Sequence, residues 1–218
     1  MPIKYALLVS ILVIFFLALL QVNLFEIAFA KLGLTPEESL LLLLGSLVGS
    51  GINLPLLQLR NSVKGFPVKL SIQKVIWGIA PSNLSNKMII AVNVGGCLIP
   101  VGLSFYFMSL QLIDPLKIII GVLAITLLSY KSSEIIPGFG VGMPIFLAPL
   151  TAALLALLID PEHAAQLAYI SGVLGVLIGA DILRIKNITQ LGSSIAVIGG
   201  AGTFDGIFLT GLIAALLA

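Results

Sequence analysis

The stretch Gly199–Gly211, which reads GGAGTFDGIFLTG, places a single carboxylate and a cluster of glycines inside an otherwise uncharged run. An aspartate in the middle of a membrane helix costs about 2.5–3.5 kcal/mol on insertion scales, so such residues face protein or water and usually mark function. Glycine permits non-helical backbone and close approach of a neighbouring helix. The pattern predicts that IAVIGGAGTF is unwound or extended and that a helix runs from about Asp205 to Ala218.

The composition of the whole chain indicates that this stretch lies in a membrane. Of 218 residues, 59% are hydrophobic and 9% are charged, and the mean hydropathy is +1.21. Soluble chains are about 45–50% apolar and about 25% charged. The chain has no basic block, so we expect no nucleic-acid partner. A single cysteine and a single histidine exclude an intrachain disulfide and a multi-ligand His or Cys metal centre, so we expect no metal and no cofactor.

About 20 apolar residues cross a bilayer as a helix. The sequence therefore predicts an all-α polytopic membrane protein, a single integral membrane domain over residues 1–218 with about seven transmembrane helices. The predicted spans are Tyr5–Ile27, Glu38–Leu57, Met88–Ile113, Pro115–Tyr130, Met143–Ile159, Ala164–Leu183 and Ser193–Ala218. The first run is longer than a signal-peptide core and lacks a small-residue cleavage site, so we interpret it as a retained span.

Charge along the chain predicts the orientation of these spans. With the N-terminus in the cytoplasm, nine of the 11 Lys and Arg residues fall on the inner side, and only Lys31 and Lys117 fall outside. Cytoplasmic segments of membrane proteins carry such an excess of positive charge. We therefore expect a multi-pass cell-membrane protein with a cytoplasmic N-terminus and an extracytoplasmic C-terminus.

Two segments do not resemble simple helices. The cytoplasmic loop 58–87 contains VKLSIQK, which alternates apolar and polar residues as a strand does, and the loop is either a small β-hairpin or an amphipathic segment on the lipid surface. Residues 131–142 contain IIPGFGVG, whose proline and glycines exclude regular helix. This second segment is either a short inner loop or a re-entrant turn sheltered by protein.

A second carboxylate, Asp181 in VLIGADILRIK, lies near the inner end of the sixth predicted span. If the glycine-rich stretch dips inward, Asp205 comes to the depth of Asp181, and two carboxylates in one site share a proton. Such a pair activates water in aspartic proteases. We therefore take Asp181 and Asp205 as candidate catalytic residues. Candidate substrate-binding residues near them are Gly199, Gly200, Gly202, Thr203 and Asn93.

Other interpretations of these residues stay open. Asp181 can instead pair with Arg184 three residues later at a helix end. Asp205 can be a protonated, hydrogen-bonded structural acid, and Asn93 can join helices rather than line a site. The hypotheses for function are an intramembrane aspartyl hydrolase acting on a transmembrane or peptide substrate, an ion- or proton-coupled transporter with Asp205 at the binding site, and a structural or assembly protein. The sequence sets no oligomeric state.

Three motifs, GVGMPIFLAPLTAALLALL, AYISGVLGVLIGADIL and IGGAGTFDGIFLTGLIAALLA, resemble an uncharacterised family of archaeal and bacterial multi-pass membrane proteins that is known only as a domain of unknown function. GAGTFDGIF also resembles the GxGD motif of intramembrane aspartyl proteases such as presenilin and signal peptide peptidase. In that resemblance Asp181 matches the first acid and Asp205 the second, with Thr203 and Phe204 inserted before Asp205. The second resemblance implies an aspartic intramembrane endopeptidase.

Overall fold

The computed structural model describes residues 22–60, 87–136, 140–188, 195–200 and 206–218. These residues form a layer of helices with short strands along one side. The helices are α1 (22–31), α2 (Pro36–Gly49), α3 (Ile99–Ser109), α4 (Pro115–Ser132), α5 (Leu147–Ile159), α6 (Ala164–Val176), α7 (Ile185–Ile188) and α8 (Gly206–Leu217). The strands are β1 (Asn53–Arg60), β2 (Lys87–Asn93), β3 (Glu134–Ile136), β4 (Gly140–Gly142) and β5 (Ile195–Ile198). A first π-helical turn, Val94–Leu98, precedes α3, and a second, Leu177–Ile182, follows α6.

Helix α6 is the centre of the helical layer. Nearly all of its residues are buried, and α8, α4, α5 and α3 pack around it. Glycines bring these neighbours close together. A Cβ atom added to Gly175 would lie 2.6 Å from Cβ of Ile125 in α4, and one added to Gly211 of α8 would lie 3.0 Å from the ring of Tyr169. Small residues at helix contacts are how membrane helices achieve tight packing.

The outer surface of the helical layer is apolar. The helical stretches Pro115–Ser132 and Pro161–Ile182, of 18 and 22 residues, are long and apolar enough to cross a membrane. Only 28% of the first is buried in the protein, so it is not the core helix of a soluble domain. Leu123 is 63% exposed and Leu158 is 81% exposed. Together with the composition, this surface favours a membrane protein.

Three strands form a sheet that the sequence did not predict. The order is β1-β2-β5, with β1 antiparallel and β5 parallel to β2. Asn53 lies opposite Asn93, Ile90 lies opposite Ala196, and β1 bulges between Pro55 and Leu57. The prediction of an all-α protein is therefore wrong in this respect. The strands MIIAVN and IAVI are continuous apolar runs, which by themselves are as compatible with a buried helix as with a strand.

Three predicted spans change between helix and strand instead of continuing as helices. The second span becomes α2 followed by β1, the third becomes β2 followed by the first π turn and α3, and the last becomes β5 followed by α8. The prediction that the last segment is extended before its glycines and helical after them is confirmed on both sides of the break. The count of seven spans stays a prediction.

The two irregular segments are described in part. Gln58–Arg60 and Lys87, at the ends of the expected cytoplasmic loop, belong to β1 and β2, which pair with each other. Residues 61–86, with the VKLSIQK pattern, lie outside the described residues. In the segment 131–142, β3 and β4 pair antiparallel, with Glu134 opposite Gly142. Residues 137–139 between them also lie outside the described residues.

Polar contacts between helix ends define one side of the layer. Nζ of Lys31, at the end of α1, donates to the carbonyl of Leu216 at the end of α8, at 2.8 Å. Nε2 of Gln166, at the start of α6, donates to the carbonyl of Leu32 at 3.3 Å. We call this side the Lys31 face. The opposite side, where the helix-to-strand breaks lie, is the strand face. Helices α6 and α8 therefore run antiparallel.

Candidate functional site

The structure describes four of the seven predicted site residues. Asp181 lies in the second π turn, Asn93 ends β2, and Gly199 and Gly200 follow β5. Gly202, Thr203 and Asp205 lie outside the described residues. The distance between the Asp181 and Asp205 carboxylates therefore stays a prediction.

The three spans that change between helix and strand pack against one another at glycine residues. A Cβ atom on Gly95, in the first π turn, would overlap the carbonyl of Ser46 and the amide of Ser50 at the end of α2. Gly199 has φ of +70°, and a Cβ atom there would lie 2.6 Å from Cβ of Cys97 in the same π turn. We call the contact formed by Gly95, Cys97 and Gly199 the glycine junction. It holds the start of α3 against α2 on one side and against the end of β5 on the other.

Asn93 ties the glycine junction to the sheet. Its side chain is buried, with 1% of the residue exposed. Oδ1 accepts from the amide of Gly96 at 2.7 Å, and Nδ2 donates to the carbonyl of Ser50 at 2.7 Å and to Oδ1 of Asn53 at 2.9 Å. Both amide hydrogens and the carbonyl oxygen thus have protein partners. Of the two roles that the sequence left open, these contacts favour a structural one.

The second π turn determines which way Asp181 faces. The amide of Leu183 donates to the carbonyl of Ile178 at 2.9 Å, a bond between residues five apart. Asp181 follows Val173 by eight residues, and at about 100° per residue a regular α-helix would turn it about 80° away from Val173. A turn with bonds five residues apart rotates each residue by only roughly 80°. Four residues of such a turn return Asp181 to within about 20° of Val173.

Val173 marks the side of α6 that meets α8. A Cβ atom on Gly211 of α8 would overlap the Val173 side chain, so these two residues lie at the same level. Because the helices are antiparallel, Gly206, five residues before Gly211, lies level with about Ile178. Asp181 is three residues beyond Ile178, which is within one helical turn. Helical geometry therefore predicts Asp181 on the Val173 side of α6 and within about one turn of the level of Gly206, while the second π turn itself packs against α4 at Gly179.

Arg184 forms hydrogen bonds with residues at the end of α4. Its guanidinium donates to the carbonyls of Tyr130 and Ser133 and to Oγ of Ser133, and it lies 4.4 Å from the centre of the Tyr130 ring. These contacts combine hydrogen bonds with a cation–π interaction. They anchor the residues after the second π turn to α4 and β3, which holds that turn in place on the strand face.

The sequence did not single out a charged cluster on the Lys31 face. Asp160, between α5 and α6, has a side chain that is 8% exposed and accepts from Nζ of Lys117 at 3.1 Å. Nδ1 of His163 lies 3.5 Å from its other oxygen. Burial alone raises the pKa of the Asp160 carboxyl, but the hydrogen bonds and charges of Lys117 and His163 outweigh burial and hold the pKa below its usual value of 3.8. The signal for this cluster in the sequence is DPEH, which places Asp160 and His163 three residues apart between two predicted spans.

Within the described ranges, no group of three or more His, Cys, Asp or Glu residues is placed to hold a metal ion.

Comparison with known proteins identifies a family. No curated protein and no solved structure matches the chain significantly. Residues 47–217, from the end of α2 to the end of α8, match the family described as "Protein of unknown function (DUF1614)". Because the match covers most of the chain, the protein belongs to this family of proteins of unknown function.

Proposed function

We propose that the protein is an intramembrane aspartyl hydrolase whose two carboxylates are Asp181 and Asp205. The observation that supports the proposal is the second π turn, since helical geometry with that turn brings Asp181 to the side of α6 where Val173 meets α8. Asp205 directly precedes Gly206, the first residue of α8, in the sequence. The proposed dyad requires the carboxylates of Asp181 and Asp205 to lie at one depth on neighbouring segments.

The proposed chemistry is that of a shared proton. When two carboxylates lie within a few ångströms of each other, one is protonated and the other ionised near neutral pH. The ionised carboxylate acts as a base on a water molecule, and the protonated one donates to the carbonyl oxygen of the scissile bond. The substrate in this proposal is a transmembrane or membrane-associated peptide, and the reaction needs no cofactor.

The proposed orientation puts this site on the cytoplasmic side. Lys131, Arg184 and Lys186 lie on the strand face, as the excess of positive charge on cytoplasmic segments predicts. The Lys31 face then lies outside, and the C-terminus with it. Seven spans and a cytoplasmic N-terminus complete the proposed topology.

A cleavage assay tests the proposal. The purified protein in liposomes is mixed with a library of membrane-spanning reporter peptides, and products are identified by mass spectrometry. We expect cleavage to fall at least 100-fold in Asp181→Asn and in Asp205→Asn, because loss of a general acid or base typically costs 10²–10⁴-fold. Glu134→Gln, which removes another carboxylate of the strand face, is the matched control and retains cleavage. Cleavage that survives both Asp substitutions contradicts the proposal.

A transporter is the second candidate, and the three interrupted spans favour it. Discontinuous membrane helices frame the ion and substrate sites of many transporters, and here α2, α3 and α8 each end or begin at the breaks on the strand face. In this alternative Asp205 binds a cation or proton and Asp181 has no catalytic part. Ion flux into liposomes that is lost in Asp205→Asn but kept in Asp181→Asn supports transport and excludes the dyad.

A further inference from the structure

The sheet begins within the depth of the membrane, where backbone groups that are not paired within the protein lack hydrogen-bond partners. From the Lys31 face, α2 extends 14 residues and α8 extends 12 residues, or about 21 Å and 18 Å at 1.5 Å per residue. The hydrocarbon core of a bilayer is about 30 Å thick. The last third of the membrane on the strand face is therefore occupied by the start of β1 and the ends of β2 and β5 rather than by these helices.

Strand β1 is the exposed edge at this depth. Within the described part of the chain it pairs only with β2, and no described strand pairs with its other edge. Leu54, Leu56 and Leu57 are 43%, 62% and 55% exposed. Leu54 and Leu57 lie opposite Val92 and Ile90 and share one face, and the exposed Pro55 and Gln58 lie on the other, so β1 is exposed on both faces. Open sheet edges do not occur against lipid in the hydrocarbon region, because no water is there to satisfy them.

Two features of β1 argue against another polypeptide strand as the cover. Pro55 has no amide hydrogen to donate to a neighbouring strand, and the chain bulges between Pro55 and Leu57. Proline and bulges are the devices by which proteins prevent edge strands from pairing. The strand also carries polar residues, Asn53 at its start and Gln58 and Arg60 towards its end.

We infer that β1 lines a water-filled indentation that enters the membrane from the strand face and reaches at least as far as Leu54, next to the glycine junction. In this indentation, water molecules form hydrogen bonds with the unpaired backbone amides and carbonyls of β1. Lipid cannot form these bonds, and Pro55 and the bulge disfavour a paired strand. This inference does not depend on the proposed hydrolase, because a transporter site on the same face would be wetted by the same route.

Thiol accessibility tests the indentation. Cys97 is the only cysteine in the sequence, so Cys97→Ala gives a cysteine-free background. Single cysteines replace Leu54, Leu57 and Gln58, and proteoliposomes are treated with a charged, membrane-impermeant methanethiosulfonate from the side that exposes Gln58→Cys. Because the thiolate is the reactive form and forms in water, we expect Leu54→Cys to react at a rate within about tenfold of Gln58→Cys.

The matched control is Leu127→Cys in α4. Leu127 is 57% exposed and lies 12 residues from the start of α4, which is about 18 Å from the Lys31 face. It is therefore a lipid-facing leucine close in depth to the start of the sheet, and it should react at least about tenfold more slowly than Leu54→Cys. If Leu54→Cys is as slow as Leu127→Cys while a membrane-permeant maleimide labels both, β1 is covered by lipid or protein and the inference is wrong. Loss of cleavage or flux in other variants has no bearing on this result.

Discussion

Gly95 leaves no room for a side chain, because the backbone of α2 occupies the place where its Cβ atom would lie. The obstructing atoms are the Ser46 carbonyl and the Ser50 amide, which cannot rotate away as the end of a flexible side chain can. We expect Gly95→Ala to destabilise the protein by about 1–3 kcal/mol, the usual cost of overpacking. The measurement is the midpoint of thermal unfolding in detergent.

The control for this prediction is Gly102→Ala in α3, where an added Cβ atom meets nothing within 4 Å. Alanine is about 1 kcal/mol more favourable than glycine within a helix, so Gly102→Ala should leave the midpoint unchanged or raise it. Equal midpoints for the two variants would show that the glycine junction does not determine how α2 and α3 pack.

The contacts of Asp160 predict how the stability of the protein depends on pH. Its folded-state pKa is lower than the ordinary value of 3.8, so its contacts stabilise the fold above that pH and the contribution is lost as pH falls through the folded-state value. At pH 7 Asp160→Asn should cost about 1.5–3 kcal/mol, as expected for hydrogen bonds to charged groups. The difference in unfolding midpoint between wild type and variant should shrink below about pH 4. A difference that is constant from pH 7 to pH 3 contradicts this assignment.

At the scale of elements, α2 begins with a capping box that the TPEE motif predicts. Oγ1 of Thr35 accepts from the amide of Glu38, and the Glu38 carboxylate accepts from the amide of Thr35 at 2.8 Å. Removal of an N-cap side chain costs about 1 kcal/mol, so Thr35→Ala should lower the unfolding midpoint measurably. Thr151→Ala is the matched control, because Oγ1 of Thr151 only adds a bond to the carbonyl of Leu147 within α5. The prediction fails if the two variants are equally stable.

The elements also show where sequence patterns stop being informative. Spans four and six were predicted as Pro115–Tyr130 and Ala164–Leu183, and the helical stretches are Pro115–Ser132 and Pro161–Ile182. Such long apolar runs form helices because all of their backbone hydrogen bonds can be made within the run itself. The second π turn had no signal in the sequence, although it changes the direction of Asp181 by about a fifth of a turn relative to an α-helix.

At the scale of the whole molecule, the proposed dyad requires α6 and α8 to bring two distant positions together. In the Cys97→Ala background, Asp181→Cys with Asp205→Cys should form a disulfide on mild oxidation, detected as a linked peptide by mass spectrometry. A disulfide needs Cα atoms within about 7 Å of each other. The matched pair is Ile182→Cys with Asp205→Cys, because Ile182 is 45% exposed and points away from Asp181. No linkage in the first pair, or faster linkage in the second, contradicts the proposed geometry.

The sequence by itself favoured a membrane protein, and it predicted that the last segment is extended up to Gly199 and Gly200 and helical towards its end, and that Asp181 lies near a helix end. Each of these follows from properties of a local stretch: its polarity, its backbone freedom and its pattern of helical bonds. The tertiary structure alone decided that β1 and β2 are strands and that β5 pairs with β2. A strand within the membrane must find its hydrogen-bond partners elsewhere in the chain, as Ile90 does opposite Ala196, and no local pattern reveals a partner more than 100 residues away.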